Sequence, residues 1–398
     1  MNTVLIIMEA ARSDIVENMD DSITPNLNKL IREGLYFPNT ITSATFTKPS
    51  LASILTSTIP PKHKVINDFS SFNKCKTFVE ILSENNVNTV GFSGLRSLGP
   101  VTNFNRGFSS FFGSRWHDKF YNSLLFKVLR NTSKNLYKKI FPRSVSGSKI
   151  NKRLSNFLKN NLSNSENNFF LIFYFELHAT LRSLKSNKLA ENEIESFRKE
   201  YEMVFKNQDK FIGEVLSIIE DNNMSDKTSL FITSDHGEAL GLRDGFSGHG
   251  SNVYEELIRV PLIIHSPKIV KPKTIKNQVR TIDIAPTICD LFGIKDLPDF
   301  EGQSLINEMG DFSNIEQSYA LTFCNPNKST LISRTRQLTT FSVRKYPWKL
   351  ISNHDVSFEL YNLEEDPLEE FNVFEQKKSK HFVKEMVEIS SSIRHKLS

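Results

Sequence analysis

The chain has 398 residues, 38% of them hydrophobic, and a net charge of +5, which is ample for a buried core and fits one large domain with a smaller appendage. No stretch approaches the roughly 20 apolar residues of a membrane-spanning helix, and the first residues lack the charged start and apolar run of a secretory signal. The three cysteines, Cys75, Cys289 and Cys324, are odd in number and widely spaced, which argues against a disulfide framework. We therefore expect a cytoplasmic location.

The first predicted element is a strand, Val4–Met8, which runs directly into a carboxylate, Glu9. The segment Thr24–Gly34 then predicts a helix, because Thr and Pro mark its start and Gly marks its end. Arg12 and Asp14 follow the strand end, and we favour a structural ion pair between them over a catalytic role. Together these segments predict one strand–helix unit with an acidic strand end.

A hydroxyl group stands at the start of the next predicted helix. The segment Ala44–Thr56 places Thr47 two residues before Pro49, just ahead of an amphipathic helix. The free backbone amides at a helix start favour an anion. Lys48 has two equally weighted interpretations: it holds the oxygens of a bound anion, or it is a solvated lysine beside a turn.

Basic charge is concentrated in one segment. From Lys119 to Lys159 there are eleven Lys or Arg residues and no Asp or Glu, and apolar residues recur at helical spacing. We predict an insertion at about 115–165, bracketed by Ser- and Asn-rich stretches at 144–148 and 161–168. The insertion could contact an anionic membrane peripherally, grip an anionic polymer, or form a basic surface helix packed on the core. Nucleic acid is not expected, since no recognised binding motif accompanies the charge.

The most informative segment is Ser229–Glu238, an apolar strand that ends in an adjacent Asp235 and His236. Side chains at such a strand end point into a shared crevice. One hard oxygen and one imidazole nitrogen suit a divalent metal ion of borderline softness. An isolated Asp-His pair is equally often a turn cap beside a core histidine. We interpret Glu238 as a residue that braces the metal-binding loop without ligating the ion.

Two further strands, Phe169–Phe175 and Val260–His265, alternate with helical patterns, as a largely parallel α/β sheet requires. Beyond about residue 314 the chain turns to short alternating runs such as Leu338–Arg344 and Trp348–Ser352, which predict a small antiparallel sheet. A helix at about 377–396 closes the chain.

These segments, in this order, resemble the sulfatase family of the alkaline phosphatase superfamily, over nearly the whole chain. Besides the segments around Glu9, Thr47 and Asp235, the resemblance is carried by Thr77–Leu82, Ser247–Pro261, Thr281–Thr287 and Glu359–Pro367. It implies an alkaline-phosphatase-like three-layer sandwich with a largely parallel central sheet. A sulfatase-like catalytic domain would span 1–313, and a smaller antiparallel subdomain at 314–398 would complete the fold.

The resemblance also implies a set of site residues. The implied metal ligands are Glu9, Thr47, Asp235 and His236. The Thr47 oxygen would also be the nucleophile, and His249 would face the substrate anion. His178 falls where the family often has a substrate-contacting histidine, but the residues after it depart from the family pattern, so a structural role has equal weight. A single metal ion is preferred, and the recruits for a second would be Glu176, His178 and His249.

Two departures from the family pattern shape the functional prediction. True sulfatases carry a Cys or Ser that is oxidised to formylglycine where this chain has Thr47, and they usually have Asp where it has Glu9. The resulting set resembles that of the phosphoethanolamine and phosphoglycerol transferases of bacterial envelopes. A sulfated threonine cannot collapse to an aldehyde, whereas a phosphothreonine can be attacked by water or by an acceptor alcohol.

We therefore predict a metal-dependent hydrolase or transferase that acts through Thr47 on a phosphoester, specifically a phosphodiester of a cell-envelope or glycan component. Lys48 and the helix amides would hold the anion, and His249 would protonate the leaving group. The predicted cofactor is one divalent ion, with zinc or manganese favoured over calcium or magnesium, and no formylglycine. Two alternatives stay open: a sulfatase in the strict sense, and a catalytically silent protein that binds an anion.

Overall fold

A computed structural model of the chain describes residues 1–67, 70, 72–95, 97–113, 144–161, 167–177, 188–267, 271–306, 317–324 and 339–397. The described α-helices are α1 (Ser13–Asn18), α2 (Pro25–Glu33), α3 (Thr47–Thr56), α4 (Pro60–His63), α5 (Phe78–Glu84), α6 (Gly147–Asn161), α7 (Glu191–Asp221), α8 (Glu255–Ile258), α9 (Ile284–Leu291), α10 (Phe374–Lys377) and α11 (His381–Leu397). None of the helices in these ranges is both long and apolar enough to cross a lipid bilayer.

The described strands divide among three sheets. The central sheet contains β1 (Asn2–Met8), β2 (Leu35–Ile41), β3 (Asn88–Ser93), β4 (Ser110–Phe112), β5 (Asn168–Tyr174), β6 (Thr228–Ser234), β9 (Arg259–His265), β10 (Lys273–Thr274) and β11 (Val279–Arg280). A two-stranded sheet pairs β7 (Ala239–Leu240) with β8 (Ser247–Gly248). The C-terminal sheet is β12 (Ala320–Cys324), β13 (Thr340–Lys345), β14 (Trp348–Ser352) and β15 (Phe358–Asn362).

The central sheet has the order β10-β2-β9-β6-β1-β5-β3-β4, with β11 also pairing with β2. β1 lies between β5 and β6 and is parallel to both, whereas β9 is antiparallel to β2 and β6. The predicted largely parallel sheet is therefore confirmed. Because β1 and β6 are parallel and in register from Asn2 to Met8, their carboxyl ends emerge side by side at one edge.

Both faces of the sheet are covered. Alternate residues of β1 point to opposite sides: Val4 and Ile6 pack in one apolar cluster, and Leu5 and Ile7 pack in another. Helices α2, α6 and α7 contribute to the first cluster, and α3, α5 and α9 to the second. This arrangement is the expected three-layer sandwich.

Three sequence predictions need correction in detail. Helix α3 is not amphipathic, because all ten of its residues are buried between the sheet and its neighbours. The C-terminal helix is divided into α10 and α11 by a break at 378–380. The stretch at 144–148 is only partly a linker, since α6 begins at Gly147.

Part of the basic insertion is a core helix. Within α6, Ile150, Leu154, Phe157 and Leu158 are buried in the first apolar cluster, so this half of the insertion follows the interpretation of a basic helix packed on the core. Residues 114–143, which carry most of the predicted membrane-facing pattern, lie outside the described residues. The domain boundary at 313 also lies outside them and stays a prediction.

Candidate active site

The candidate site lies where β1 and β6 end. The backbone N–H of Ala10 donates to Asp235 Oδ1 (3.1 Å), and that of Ala11 donates to Ser234 Oγ (2.8 Å). The turn after Glu9 is thereby tied to the turn that carries Asp235 and His236. Two strand ends that are 226 positions apart in sequence thus build one loop cluster.

Asp235 is fully buried, and its two carboxylate oxygens have different environments. Oδ1 accepts hydrogen bonds from the backbone N–H groups of Ala10 (3.1 Å) and His236 (2.9 Å). Oδ2 accepts none from the described residues and lies 3.5 Å from His236 Nε2. Burial raises the pKa of Asp235 above its ordinary value, although His236 and the backbone donors act in the opposite direction. A buried carboxylate oxygen of this kind fits a bound cation.

His236 presents one ring nitrogen to the same point. Its Nδ1 lies 2.8 Å from the carbonyl oxygen of Gly237, so Nδ1 carries the proton and Nε2 keeps its lone pair. That Nε2 is 3.4 Å from Thr47 Oγ1. Gly237 is required here, because a Cβ at this position would lie 2.1 Å from the carbonyl oxygen of Glu256.

Thr47 is the first residue of α3, and the helix is fixed against the loop that carries Asp235 and His236. Ser50 Oγ donates to the Asp235 carbonyl oxygen (2.6 Å), and Thr42 Oγ1 donates to the same oxygen (2.5 Å). Lys48 is only 5% exposed, so the interpretation of a solvated lysine is wrong. The start of α3 therefore lies against the loop that carries Asp235 and His236, and anion binding by its amides stays a prediction.

Glu9 is fully buried directly beyond β1, and its backbone N–H donates to the Tyr174 carbonyl oxygen (3.2 Å). The turn that follows has a left-handed residue, Ala10, with φ of 57°. Tyr201 of α7 holds this turn, since its hydroxyl donates to the Ala10 carbonyl oxygen (2.8 Å) and accepts the Arg12 N–H (3.1 Å). Glu9 as a metal ligand stays a prediction.

His249 lies beside His236, with ring centroids 4.3 Å apart. Its Nδ1 donates to Glu238 Oε2 (2.9 Å), and both side chains are buried. The ligand-type atoms of His236, Glu238 and His249 all lie within 4.8 Å of one another. Glu238 contacts His249 here, a contact that its spacing in sequence does not reveal, and its carboxylate belongs to the same group of ligand-type atoms. The prediction that Glu238 braces the loop without ligating an ion stays a prediction.

The predicted ion pair between Arg12 and Asp14 is present, at 2.7 Å. Arg12 also pairs with Glu256 (3.2 Å) and donates to the carbonyl oxygen of Glu238 (3.1 Å). Glu256 was not predicted as a site residue, and its role depends on a contact across 244 positions.

Of the other predicted residues, Glu176 lies away from this cluster and His178 is not among the described residues. Glu176 accepts the backbone N–H groups of Phe175 (3.1 Å) and Gly147, which gives it a structural role at the start of α6. Burial raises its pKa. His178 lies outside the described residues, and its role stays a prediction.

A sulfatase family model matches residues 1–294, the range that contains every predicted site residue. This chain belongs to the sulfatase family. A second model, described as N-sulphoglucosamine sulphohydrolase, C-terminal, matches residues 250–396. The family predicted from the sequence segments is thereby confirmed.

The chain is similar in sequence to proteins named Arylsulfatase K. The mouse protein is 30% identical over 201 residues, which cover 47% of this chain and 34% of the relative. The zebrafish protein is 28% identical over 211 residues, covering 50% of this chain and 38% of the relative. The matches thus span little more than a third of the length of these curated relatives.

Solved structures share the whole fold at low sequence identity. A phosphonate monoester hydrolase from Silicibacter pomeroyi has a TM-score of 0.73 at 17% identity, covering 100% of this chain and 95% of that one. A protein solved in complex with its substrate D-glucosamine-2-N,6-O-disulfate has a TM-score of 0.73 at 18% identity, covering 100% and 98%. A 2-O GAG sulfatase has a TM-score of 0.75 at 17% identity, covering 99% and 92%.

The predicted phosphoester substrate and transferase activity are wrong. The sequence relatives are named arylsulfatases, and the family match is to sulfatases, which favours the strict sulfatase alternative. The active-site likeness to envelope transferases, which depended on Glu9 and Thr47, has no support from these matches. The side chains of Glu9 and Thr47 could not distinguish sulfate from phosphate chemistry. Both esters are tetrahedral oxyanions that the same charges and hydrogen-bond donors stabilise.

Proposed function

We propose that this chain is a sulfatase in the strict sense, a hydrolase that cleaves a sulfate ester to an alcohol and inorganic sulfate. The observation that carries the proposal is the sulfatase match over residues 1–294, within which Thr47, Asp235 and His236 meet in one buried cluster. The chemistry needs an anion site, a nucleophile and an acid beside each other. Thr47, the proposed nucleophile, and His249, the proposed acid, both lie beside His236.

A divalent metal ion fits the cluster, because Asp235 Oδ2 is buried without a hydrogen-bond donor among the described residues. We propose as its ligands Glu9, Thr47, Asp235 and His236. When bound there, such an ion would supply positive charge to the sulfate oxygens and would lower the pKa of the Thr47 hydroxyl. Zinc and manganese stay favoured, since imidazole is among the ligands.

Formylglycine cannot form at position 47. The Cβ of threonine carries a methyl group, so its oxidation would give a ketone and not the aldehyde that a Cys or Ser gives. We propose that Thr47 Oγ1 attacks sulfur directly, releasing its proton to solvent as the bond from sulfur to the ester oxygen breaks. Water then attacks sulfur, the bond to Thr47 breaks, the hydroxyl is restored, and sulfate leaves with a proton.

His249 is proposed to protonate the departing alcohol oxygen. Its Nδ1 donates to Glu238 at 2.9 Å, which fixes the plane of the ring, and Nε2 is proposed to carry the transferable proton. Lys48 and the first amides of α3 are proposed to hold the non-bridging sulfate oxygens. His178 remains a candidate contact to the substrate.

The substrate class proposed is an anionic, glycan-linked sulfate ester. Two proteins of the same fold support this class, since one was solved in complex with its substrate D-glucosamine-2-N,6-O-disulfate and the other is a 2-O GAG sulfatase. The relative rates on glycan sulfates and aryl sulfates show whether the preferred leaving alcohol is a sugar or an aryl group.

The first test is the time course of an aryl sulfate, a phosphodiester and a phosphomonoester that all release the same aryl alcohol, in zinc, manganese, magnesium or calcium. Because a sulfated Thr47 has no internal route of collapse, we expect a burst of about one alcohol per site followed by slow turnover. The burst should vanish in Thr47→Val. The matched control is Thr45→Val, a nearby and fully buried threonine whose hydroxyl has no partner among the described residues.

Sulfate cleavage that depends on Thr47 supports the proposal. Faster cleavage of the phosphodiester than of the sulfate would refute it. Binding of sulfate and metal without any cleavage of glycan or aryl sulfates would instead favour the catalytically silent, anion-binding alternative.

A further inference from the structure

A buried network of four charges joins the C-terminal sheet to the segment that follows His249. Arg344 of β13 donates through Nε and Nη2 to the two carboxylate oxygens of Glu255, at 3.0 and 2.9 Å. Lys349 of β14 pairs with Glu255 (3.2 Å) and with Glu369 (2.6 Å). The side chains of Arg344, Lys349 and Glu369 are at most 2% exposed and that of Glu255 is 13% exposed, so most of the network is shielded from water.

The network contains two cations and two carboxyl groups. Burial raises the pKa of Glu369, although its contact with Lys349 acts in the opposite direction. Burial acts to raise the pKa of Glu255, but Arg344 and Lys349 outweigh it and hold that pKa at about 2. Glu255 is therefore charged at neutral pH. Buried ion pairs contribute little net stability compared with apolar residues of similar volume, so their presence calls for a reason other than stability.

Glu255 is the first residue of α8, and α8 packs against the loop that carries Asp235 and His236, the proposed metal-binding loop. The N–H of Gly237 donates to the Leu257 carbonyl oxygen (2.9 Å), and that of Thr42 donates to the Ile258 carbonyl oxygen (3.0 Å). Thr42 in turn contacts the Asp235 carbonyl oxygen (2.5 Å). A Cβ at Gly237 would lie 2.1 Å from the Glu256 carbonyl oxygen, so α8 packs closely against this loop.

A second link runs through the side chain next to Glu255. Glu256 pairs with Arg12 (3.2 Å), and Arg12 donates to the Glu238 carbonyl oxygen (3.1 Å). Glu238 orients His249. A displacement of α8 would therefore reach both the proposed metal ligands and the proposed acid.

We propose that Arg344 and Lys349 are positioning residues for the metal-binding loop, acting through Glu255 and α8. Neither side chain touches the proposed reacting atoms. The C-terminal sheet thereby sets the position of Asp235 and His236, in addition to covering the central domain. This inference rests on the proposed metal site but not on the identity of the substrate.

The test is the affinity of the full-length protein for manganese, measured by titration calorimetry, together with its melting temperature. Arg344→Lys keeps the charge but removes the two-pronged contact with Glu255. The matched control is Arg106→Lys, because Arg106 makes the same two-pronged contact with Glu80, at 3.2 and 2.9 Å, away from the site. We expect Arg344→Lys to weaken manganese binding by about tenfold and Arg106→Lys to leave it unchanged.

A second variant keeps the test decisive if Arg344→Lys does not fold. The double substitution Lys349→Met with Glu369→Gln removes one charge of each sign and keeps the volume, so we expect it to fold with little change in melting temperature. Weaker manganese binding without lost stability would separate positioning from mere support of the fold. At saturating manganese, kcat should fall in both variants while KM changes little.

The outcomes separate the inference from the proposed function. Wild-type protein that binds no manganese would overturn the metal site and the inference with it. Wild-type binding that both network variants retain at full strength would overturn the inference alone.

Discussion

At the scale of single residues, the candidate site depends on how Asp235 divides its two oxygens. One oxygen is fully occupied by backbone donors of Ala10 and His236, which fixes the carboxylate in place. The other is buried 3.5 Å from His236 Nε2, which itself lies 3.4 Å from Thr47 Oγ1, and it accepts no hydrogen bond from the described residues. In the metal-free protein this carboxylate is costly, as the raised pKa of Asp235 indicates.

We predict opposite effects of Asp235→Asn on stability and on metal binding. The amide keeps the acceptor for the backbone donors but removes the charge, so metal affinity should fall by roughly 100-fold or more. The metal-free variant should melt at a higher temperature than wild type, because the carboxylate whose pKa is raised no longer has to be buried in its charged form.

Asp209→Asn is the control for that substitution. Asp209 caps α2 by accepting the N–H groups of Asn26 (3.2 Å) and Leu27 (2.8 Å), and it lies away from the site. Burial raises the pKa of Asp209 too, but both of its carboxylate oxygens accept N–H groups, so an amide nitrogen in place of either oxygen loses hydrogen bonds. This variant should therefore lose stability and keep metal binding. Calorimetric melting with and without manganese measures both, and a metal-free Asp235→Asn protein that melts lower than wild type would contradict our account.

The sequence predicts some of the site residues and gives no sign of others. Asp235 and His236 could be found because an apolar strand ends directly in them. The reaction could not be deduced from Thr47, since its side chain states only that a hydroxyl is present and not which ester it meets. Glu256 could not be found at all, because only the folded chain brings it to Arg12.

At the scale of elements, α3 matters because it is buried on every side. Its Ser50 faces the metal-binding loop, while Ser53 faces α4, where its hydroxyl lies 2.9 Å from His63 Nε2. His63 Nδ1 accepts the Val65 N–H (3.0 Å), so the ring is neutral and its Nε2 carries the proton. Periodicity could not predict this burial, since it assumes one solvent-facing side and the fold supplies neighbours on both.

We predict that the contact between α3 and α4 makes stability depend on pH. Burial lowers the pKa of His63 to about 3, from a usual value near 6.5. Between these values the unfolded chain binds a proton that the folded chain does not. The stabilisation is therefore complete above about pH 6.5 and is lost as the pH falls, by up to about 1.4 kcal/mol per pH unit.

Urea unfolding of the metal-free protein at about pH 7.5 and about pH 5 measures this dependence. His63→Gln should be less stable at neutral pH but should lose less stability on acidification than wild type. Equal losses in the two proteins would show that other groups dominate the acid response.

At the scale of the whole molecule, the site forms where the central sheet meets the C-terminal sheet. Besides the Glu255 network, β12 pairs with the segment before Thr47: the Phe323 N–H donates to the Ser43 carbonyl oxygen (3.0 Å) and the Thr45 N–H to the Phe323 carbonyl oxygen (3.2 Å). The sequence predicted both sheets because each has its own alternating pattern. Their junction was beyond prediction, since it depends on pairs such as Glu255 and Arg344 that are 89 positions apart.

This junction predicts that the two sheets unfold together. Trp348 lies in β14, and its ring centroid is 4.7 Å from that of Phe382. The chain has two tryptophans, so Trp116→Phe leaves Trp348 as the sole tryptophan, whose fluorescence reports on the C-terminal sheet. In urea, the fluorescence of Trp348 and the far-ultraviolet circular dichroism should show the same unfolding midpoint. Manganese should raise both midpoints equally, because binding at Asp235 stabilises every part that unfolds in the same step. Arg344→Lys, made in the same background, should reduce the shift that manganese causes. If Trp348 reported an earlier transition that manganese left unchanged, the C-terminal sheet would be an independent unit, and its buried charges would have no part in holding the metal-binding loop.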